Sequence, residues 1–381
     1  MIEYAVVILE KDSTSFCYYN NETKSLSSDR QLMSIELLES IVSYAIKNNL
    51  TVHYLYGNTA LPKEYETLIN KIEHTKIQPI SYPKIHKNAI LVINPDELDL
   101  LAGLRRNLER NIILRIGVEQ INNLSQYVTP LLSKCKRINI MLLDMDKFTQ
   151  VEYDLYQKEI TSVSKQLTRL YKSSKSTELN IVTDRMLLSE MNNCNAGLSH
   201  FTIAPNGEFY LCPGFYYSGS DDSIGNIRDG LFIKNAYLLE LDKAPICRNC
   251  DAYQCKRCIY LNKQTTLEIN TPSQQQCIVS HIERNNSKKI LELLSQEIKE
   301  FQYLPEIPEI DYMDPFELVK YNNSFNAHDS INVNDVQDSI NVNSKETDLG
   351  TIPNNIDNLT DRELLESIFR MQNEIINRLT K

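Results

Sequence analysis

The sequence predicts an α/β protein in which a partial (β/α)6-type barrel is followed by a small cysteine-rich domain. Three observations lead there. Residues 1–190 alternate apolar, strand-like runs with amphipathic, helix-like stretches, the pattern of a parallel sheet covered by helices. About six such units suit an open or partial barrel better than a full eight-fold one. From residue 191 the pattern changes to short strands, turns and cysteines, and seven of the nine cysteines fall within residues 194–277.

In chain order the strand-like runs are EYAVVIL (3–9), TVHYLYG (51–57), AILVIN (89–94), NIILRIG (111–117), RINIMLL (137–143) and LNIVT (179–183). Helix-like stretches lie between them at 31–48, 64–73, 96–108, 119–134 and 151–172. Several strands end in polar residues: Asn94 and Asp96, Asp144 and Asp146, Asp184. Barrel enzymes build their active sites at these strand ends, which makes Asp144 the best functional candidate of the set. Asp and Asn are also the preferred helix N-caps, and capping is the plainer role.

Within residues 191–320, SHFTIAPNGEFYLC (199–212) alternates apolar and polar residues around Pro-Asn-Gly and reads as a hairpin with a glycine turn. A helix over 278–302 closes this domain. Residues 321–358 are rich in Asn, Asp and Ser, contain DSINVN twice, and read as a flexible linker. Residues 359–381 regain helical periodicity: Thr360 and Glu363 form a capping box, and Leu365, Ile368, Ile375, Ile376 and Leu379 share one face. Docking on a partner and folding back on its own domain are both open to such a tethered helix.

A net charge of −10 argues against a nucleic-acid or acidic-membrane binder. Arg105, Arg106 and Arg110 lie on an amphipathic stretch beside Glu109 and read as a solvated helix face. The opening MIEYAVVILEKD lacks the basic, long-apolar and cleavable regions of a signal peptide. No segment approaches the roughly 18 apolar residues that cross a bilayer. The expectation is a soluble, cytoplasmic protein, and in that reducing setting clustered cysteines point to metal and away from disulfides.

Thiolates are soft ligands for zinc or iron–sulfur clusters. CRNCDAYQCKRC (247–258) by itself offers one zinc ion four ligands, Cys247, Cys250, Cys255 and Cys258. That arrangement leaves Cys194, Cys212 and Cys277 without a role. Two four-iron clusters employ all seven cysteines and lack one ligand. Zinc stays the alternative.

Cys194, Gly207 and Cys212, followed by SIGNIRDG (223–230) and the order Cys247, Cys250, Cys255, Cys258, Cys277, resemble the SPASM domain at the C-terminus of many radical SAM peptide-modifying enzymes. The Cys250–Cys255 and Cys255–Cys258 spacings are each one residue shorter than usual. The resemblance implies a radical SAM-like barrel and two auxiliary [4Fe-4S] clusters. Cys194, Cys212 and Cys258 would hold the first, Cys247, Cys250, Cys255 and Cys277 the second. One iron of the first would stay open, which in related enzymes accepts a substrate thiolate. CKRCIYLN (255–262), TLEINTPSQQQC (266–277), HIERN (281–285) and SFCYY (15–19) further resemble the CXXX repeat peptide maturase family over roughly residues 1–320. That likeness implies a short Cys-repeat precursor peptide as partner.

The resemblance breaks at two places in the barrel. Radical SAM enzymes hold their catalytic cluster through CxxxCxxC, whereas the matching loop EKDSTSFCYYNNETKS has only Cys17, with Ser13 and Asn20 at the partner positions. LYGN (55–58) replaces the Gly-Gly-Glu type segment, and nothing in the sequence shows that S-adenosylmethionine is bound. Three readings follow: a maturase with a lost or replaced SAM site, a non-catalytic peptide-binding or electron-relay partner of a separate radical SAM enzyme, or a zinc-stabilised scaffold. His200 or His281 is a candidate eighth ligand, though each is more commonly an ordinary polar residue. Cys135 reads as a plain thiol. Packing is the default role for Tyr18, Tyr19, Tyr216 and Tyr217.

Overall fold

A computed structural model describes residues 2–17, 31–102, 110–173, 175, 177–219 and 222–307. The linker and helix expected over 321–381 lie outside them, as do Tyr18, Tyr19, Asn20 and the Arg105–Glu109 face. The strands are β1 (Tyr4–Ile8), β2 (Thr51–Leu55), β3 (His74–Pro79), β4 (Ile90–Ile93), β5 (Asn111–Ile116), β6 (Arg137–Leu142), β7 (Glu178–Leu179), β8 (His200–Ile203) and β9 (Phe209–Tyr210). They form one sheet in the order β7-β6-β5-β4-β3-β2-β1-β8-β9. Every neighbouring pair is parallel except β8 and β9, with Val7 opposite Tyr54 and Tyr4 opposite His200 in the flanking registers of β1. Among the described residues no pairing joins the edges β7 and β9.

Helices α1 (Ile35–Lys47), α2 (Lys63–Ile69), α3 (Leu98–Ala102), α4 (Leu124–Val128), α5 (Gln150–Lys172) and α6 (Thr183–Leu187) follow β1, β2, β4, β5, β6 and β7. The caps are local. Ser34 accepts from the Leu37 amide at 3.2 Å to start α1, and Thr149 with Glu152 boxes the start of α5. Strand residues alternate between two faces. Val7, Leu9, Val52 and Tyr54 bury against α1 and α2, while Leu91, Ile93, Leu114 and Ile140 bury against α4, α5 and α9 (Gln274–Glu297). The opposite face presents Val6, Ile8, Leu55, Ile77, Val92 and Ile113 to Cys212, Phe215 and Ile259. Both faces are covered, as parallel sheets require.

Two sequence expectations differ from the structure. The strand at 179–183 shortens to β7 because side chains replace its ladder. Asn180 Oδ1 accepts from the Ile140 amide at 2.7 Å and its Nδ2 donates to the Ile140 carbonyl at 3.0 Å, while Thr183 Oγ1 caps the Leu179 amide and turns the chain into α6. β3 has no counterpart among the expected strands because it buries polar residues. Lys76 Nζ meets Glu66 Oε2 at 2.6 Å and Gln78 Nε2 meets His86 Nδ1 at 2.7 Å, so the run HTKIQP shows little apolar signal. The expected hairpin is β8–β9, its turn closed by Gly207 at φ +83°, where a side chain would be strained. All described residues belong to one compact unit, Met1–Phe316, and none of their helices is long and apolar enough to cross a membrane.

Candidate metal centre

The cysteine-rich segment lies on the sheet because β8 pairs with β1, which draws residues 191–219 over the apolar face of β1–β5. Just before β8 the chain runs beside CRNCDAYQCKRC. The Asn192 amide donates to the Tyr253 carbonyl at 2.8 Å and the Cys194 amide to the Lys256 carbonyl at 3.1 Å. After β9, Cys212 caps α7 (Pro213–Tyr217), and Cys258 caps α8 (Ile259–Thr266). The two short helices touch through Gly214, where a Cβ would stand 2.6 Å from the Tyr260 ring.

These contacts gather the thiols into two groups. Cys194, Cys212 and Cys258 lie within Coulombic reach of one another, and Cys247 lies within reach of both Cys250 and Cys255, with Cys255 bordering on Cys258. The long helix α9 flanks the second group. Gln276 Nε2 reaches Cys255 Sγ at 3.7 Å and His281 Nε2 lies 3.8 Å from Cys250 Sγ. Cys277, one turn before His281, shares its helix face. His281 therefore stands with the second group, and Cys250, Asp251 and His281 bring ligand atoms within 4.8 Å of one another. His200 stacks on Tyr4 with ring centroids 4.7 Å apart, and burial, helped by His53, lowers its pKa to about 4.

Burial first, then neighbouring sulfurs, pushes Cys247 and Cys258 up to about 12 and Cys212 well above a normal thiol. Without a cation these groups stay neutral. Backbone amides nonetheless point at the sulfurs: Leu261 N to Cys258 Sγ and Ala252 N to Cys250 Sγ, both at 3.4 Å. Hydrogen bonds of this kind favour the thiolate and tune a bound metal. The donor set suits a soft, positively charged group that would deprotonate the sulfurs.

One buried side chain was not singled out in the sequence. Arg257 is fully enclosed at 0% exposure and within Coulombic reach of Cys247, Cys194 and Cys255. Its Nη2 donates to the Leu239 carbonyl at 2.9 Å and to Asn270 Oδ1 at 3.0 Å, while Nε and Nη1 have no hydrogen-bond partner. An unsatisfied buried guanidinium is costly unless negative charge lies beside it. In the sequence, the Lys256-Arg257 pair looks like ordinary surface charge. Asp251, also fully buried, has Arg284 Nε 3.4 Å away, and Arg185 stacks over Tyr253 at 4.3 Å.

The C-terminal ends of β1–β5 open on a cavity of about 270 Å³. Asp12, Ser13, Asn58, Asn94, Glu97 and Arg115 are among its lining residues. Asn94 stands at the N-cap position of the turn after β4, where its backbone amide and its Nδ2 donate to Glu97 Oε2 at 2.9 and 2.8 Å. Asp144 and Asp146 line a second cavity of about 290 Å³ beside Tyr260. Asp184 is instead buried in an ion pair with Arg137 at 2.7 Å, and Cys135 sits in the core beneath β6.

No protein-family model matches the chain, and no curated protein matches it. Solved structures do. Native anSMEcpe with bound AdoMet superposes with a TM-score of 0.52 at 10% identity, covering 77% of this chain and 100% of that one. Native anSMEcpe with bound AdoMet and Cp18Cys peptide gives 0.53 at 12% identity, over 77% and 99%. The chain has the fold of anSMEcpe. The shared region extends from the sheet into the cysteine-rich segment, since 77% of the chain exceeds the strand–helix portion alone.

Proposed function

We propose that this protein works in the maturation of a ribosomally synthesised, Cys-repeat peptide and holds two auxiliary [4Fe-4S] clusters. In this reading Cys194, Cys212 and Cys258 bind the first and Cys247, Cys250, Cys255 and Cys277 the second. The observation that carries it is the division of clustered thiols into two groups around one buried, half-satisfied arginine. A single zinc site accounts for one group only. Such clusters supply one-electron transfer and an iron that accepts a thiolate.

The chain's own residues prepare the rest. Cys212 and Cys258 are presented from helix N-termini, whose amide groups favour negative charge on sulfur. Arg257 offsets charge between the groups. The cavity at the strand ends offers Arg115, Asn58 and Asn94 to a peptide's carbonyl and amide groups. AdoMet and a peptide are bound by anSMEcpe, which has the same fold.

A second reading has its own observation. The loop lining that cavity has Ser13 where a SAM cluster would need its first thiol, and of the three ligand positions only Cys17 carries sulfur. The protein would then present the peptide, or relay electrons, to a separate radical SAM enzyme. Iron, acid-labile sulfide and zinc in anaerobically purified protein, with electron paramagnetic resonance after reduction, test the cluster assignment. About eight irons per chain support two clusters, and about one zinc without sulfide overturns the redox role. Cleavage of S-adenosylmethionine then separates the maturase from the partner reading.

A further inference from the structure

The first thiol group has three members where a four-iron cluster has four corners. Neither histidine considered for the gap is placed to fill it: His281 stands against Cys250 of the other group, and the His200 ring is taken up in a stack with Tyr4. One further cysteine, from the other end of the chain, lies on the same face of the sheet as the group. Cys17 belongs to the same packed cluster as Cys194 and Cys212, on the face of the sheet that carries the cysteine-rich segment. Two tyrosines bracket its position. Tyr4 lies within Coulombic reach of both Cys194 and Cys17, and Tyr260 within reach of Cys212, Cys258 and Cys17.

The loop that carries Cys17 is also fastened to the segment that carries Cys212. Ser13 Oγ and the Tyr217 hydroxyl share a buried hydrogen bond, and Tyr217 ends the helix that Cys212 begins. Ser13 is 1% exposed, so this end of the loop is fixed in the core. A second, independent feature indicates that negative charge belongs here. Arg257 is fully buried, has no hydrogen-bond partner at Nε or Nη1, and has Cys194, Cys247 and Cys255 among its neighbours.

We propose that Cys17 is the fourth protein ligand of the iron–sulfur site formed by Cys194, Cys212 and Cys258. This rests on the two-cluster reading above. The thiol left in the N-terminal loop would then serve the auxiliary site, tying the first strand of the sheet to the cysteine-rich segment. A peptide thiol would reach that corner only by taking the place of Cys17.

The test uses the full chain, reconstituted anaerobically, as wild type, Cys17→Ala and Cys135→Ala. Iodoacetamide labelling read by peptide mass is compared before and after the iron is stripped with a chelator. Cys17 is expected to be protected in the loaded protein and labelled at least tenfold faster once stripped. In the reduced proteins, Cys17→Ala is expected to change one of two paramagnetic resonance signals and leave the other alone, while Cys135→Ala changes neither. Equal labelling before and after stripping, or an unaltered pair of signals in Cys17→Ala, would overturn the proposal. The labelling arm needs only wild-type protein, so it holds if the variant fails to fold. Wild type without iron and sulfide would overturn the two-cluster reading itself, a separate and recognisable failure.

Discussion

The Cys194 amide donates to the Lys256 carbonyl at 3.1 Å, which places a cysteine preceding β8 against the C-terminal end of CRNCDAYQCKRC. That one bond brings Cys194 into range of Cys258 and of the buried Arg257. Proximity of this kind makes the electrostatics of the region a shared property, and several measurements follow from it.

Arg257→Met removes a positive charge from between the thiol groups and keeps much of the side-chain volume. A reduced cluster carries one more negative charge than an oxidised one, so losing the cation disfavours reduction. The midpoint potential of at least one cluster is expected to fall by on the order of 60 mV, a tenfold change for one electron. A redox titration followed by paramagnetic resonance checks it, and an unchanged potential would place Arg257 outside the clusters' field.

Cys212→Ala and Cys247→Ala remove ligands from different groups. Each is expected to cut iron and sulfide from about eight to about four per chain and to abolish a different resonance signal. Loss of all metal in both variants would mean that one shared centre, not two, occupies the region.

Gly214→Ala places a methyl group 2.6 Å from the Tyr260 ring, at the contact between the helices that Cys212 and Cys258 cap. The close atoms are the Cγ and Cδ carbons at the base of the ring, which cannot swing clear without moving the backbone, so a loss of about 1–3 kcal/mol is expected. Urea unfolding of the metal-free protein measures it. Gly230→Ala, with no atom within 4 Å of the added group, serves as a comparison for the positive φ of +84° alone.

His200 titrates far below an ordinary histidine because it is buried, with a folded pKa of about 4. Its unfolded value is about 6.5, so between pH 6.5 and 4 the unfolded chain binds a proton that the folded one does not. Stability is therefore full above pH 6.5 and falls as the pH drops toward 4, by on the order of 3 kcal/mol from this residue. His200→Phe keeps a ring against Tyr4 and should flatten that part of the profile. Unfolding midpoints from pH 4 to 7 show whether it does.

Much of the sheet was legible in the sequence for a simple reason. β1, β4 and β5 are buried on both faces and are accordingly runs of Val, Ile and Leu, while β6 shows the alternation of a half-buried strand, with Ile138, Ile140 and Leu142 inward. Lys76 and Gln78 hid β3, since their burial is balanced by Glu66 and His86 from other elements. β7 failed the opposite way: LNIVT looks like a strand, yet Asn180 and Thr183 bond the backbone themselves.

By itself the sequence determined the fold class, the number of clustered thiols and the absence of a CxxxCxxC motif in the first loop, since each resides in residue type and local spacing. It left the grouping of the thiols to a family resemblance and said nothing of Arg257 or of the company Cys17 keeps. Those were decided when β8 paired with β1 and the Ser13–Tyr217 hydrogen bond joined the first loop to the helix after Cys212. Contacts between residues so far apart in the chain have no local signal. They are set by which surfaces bury one another, and only the tertiary structure makes that choice.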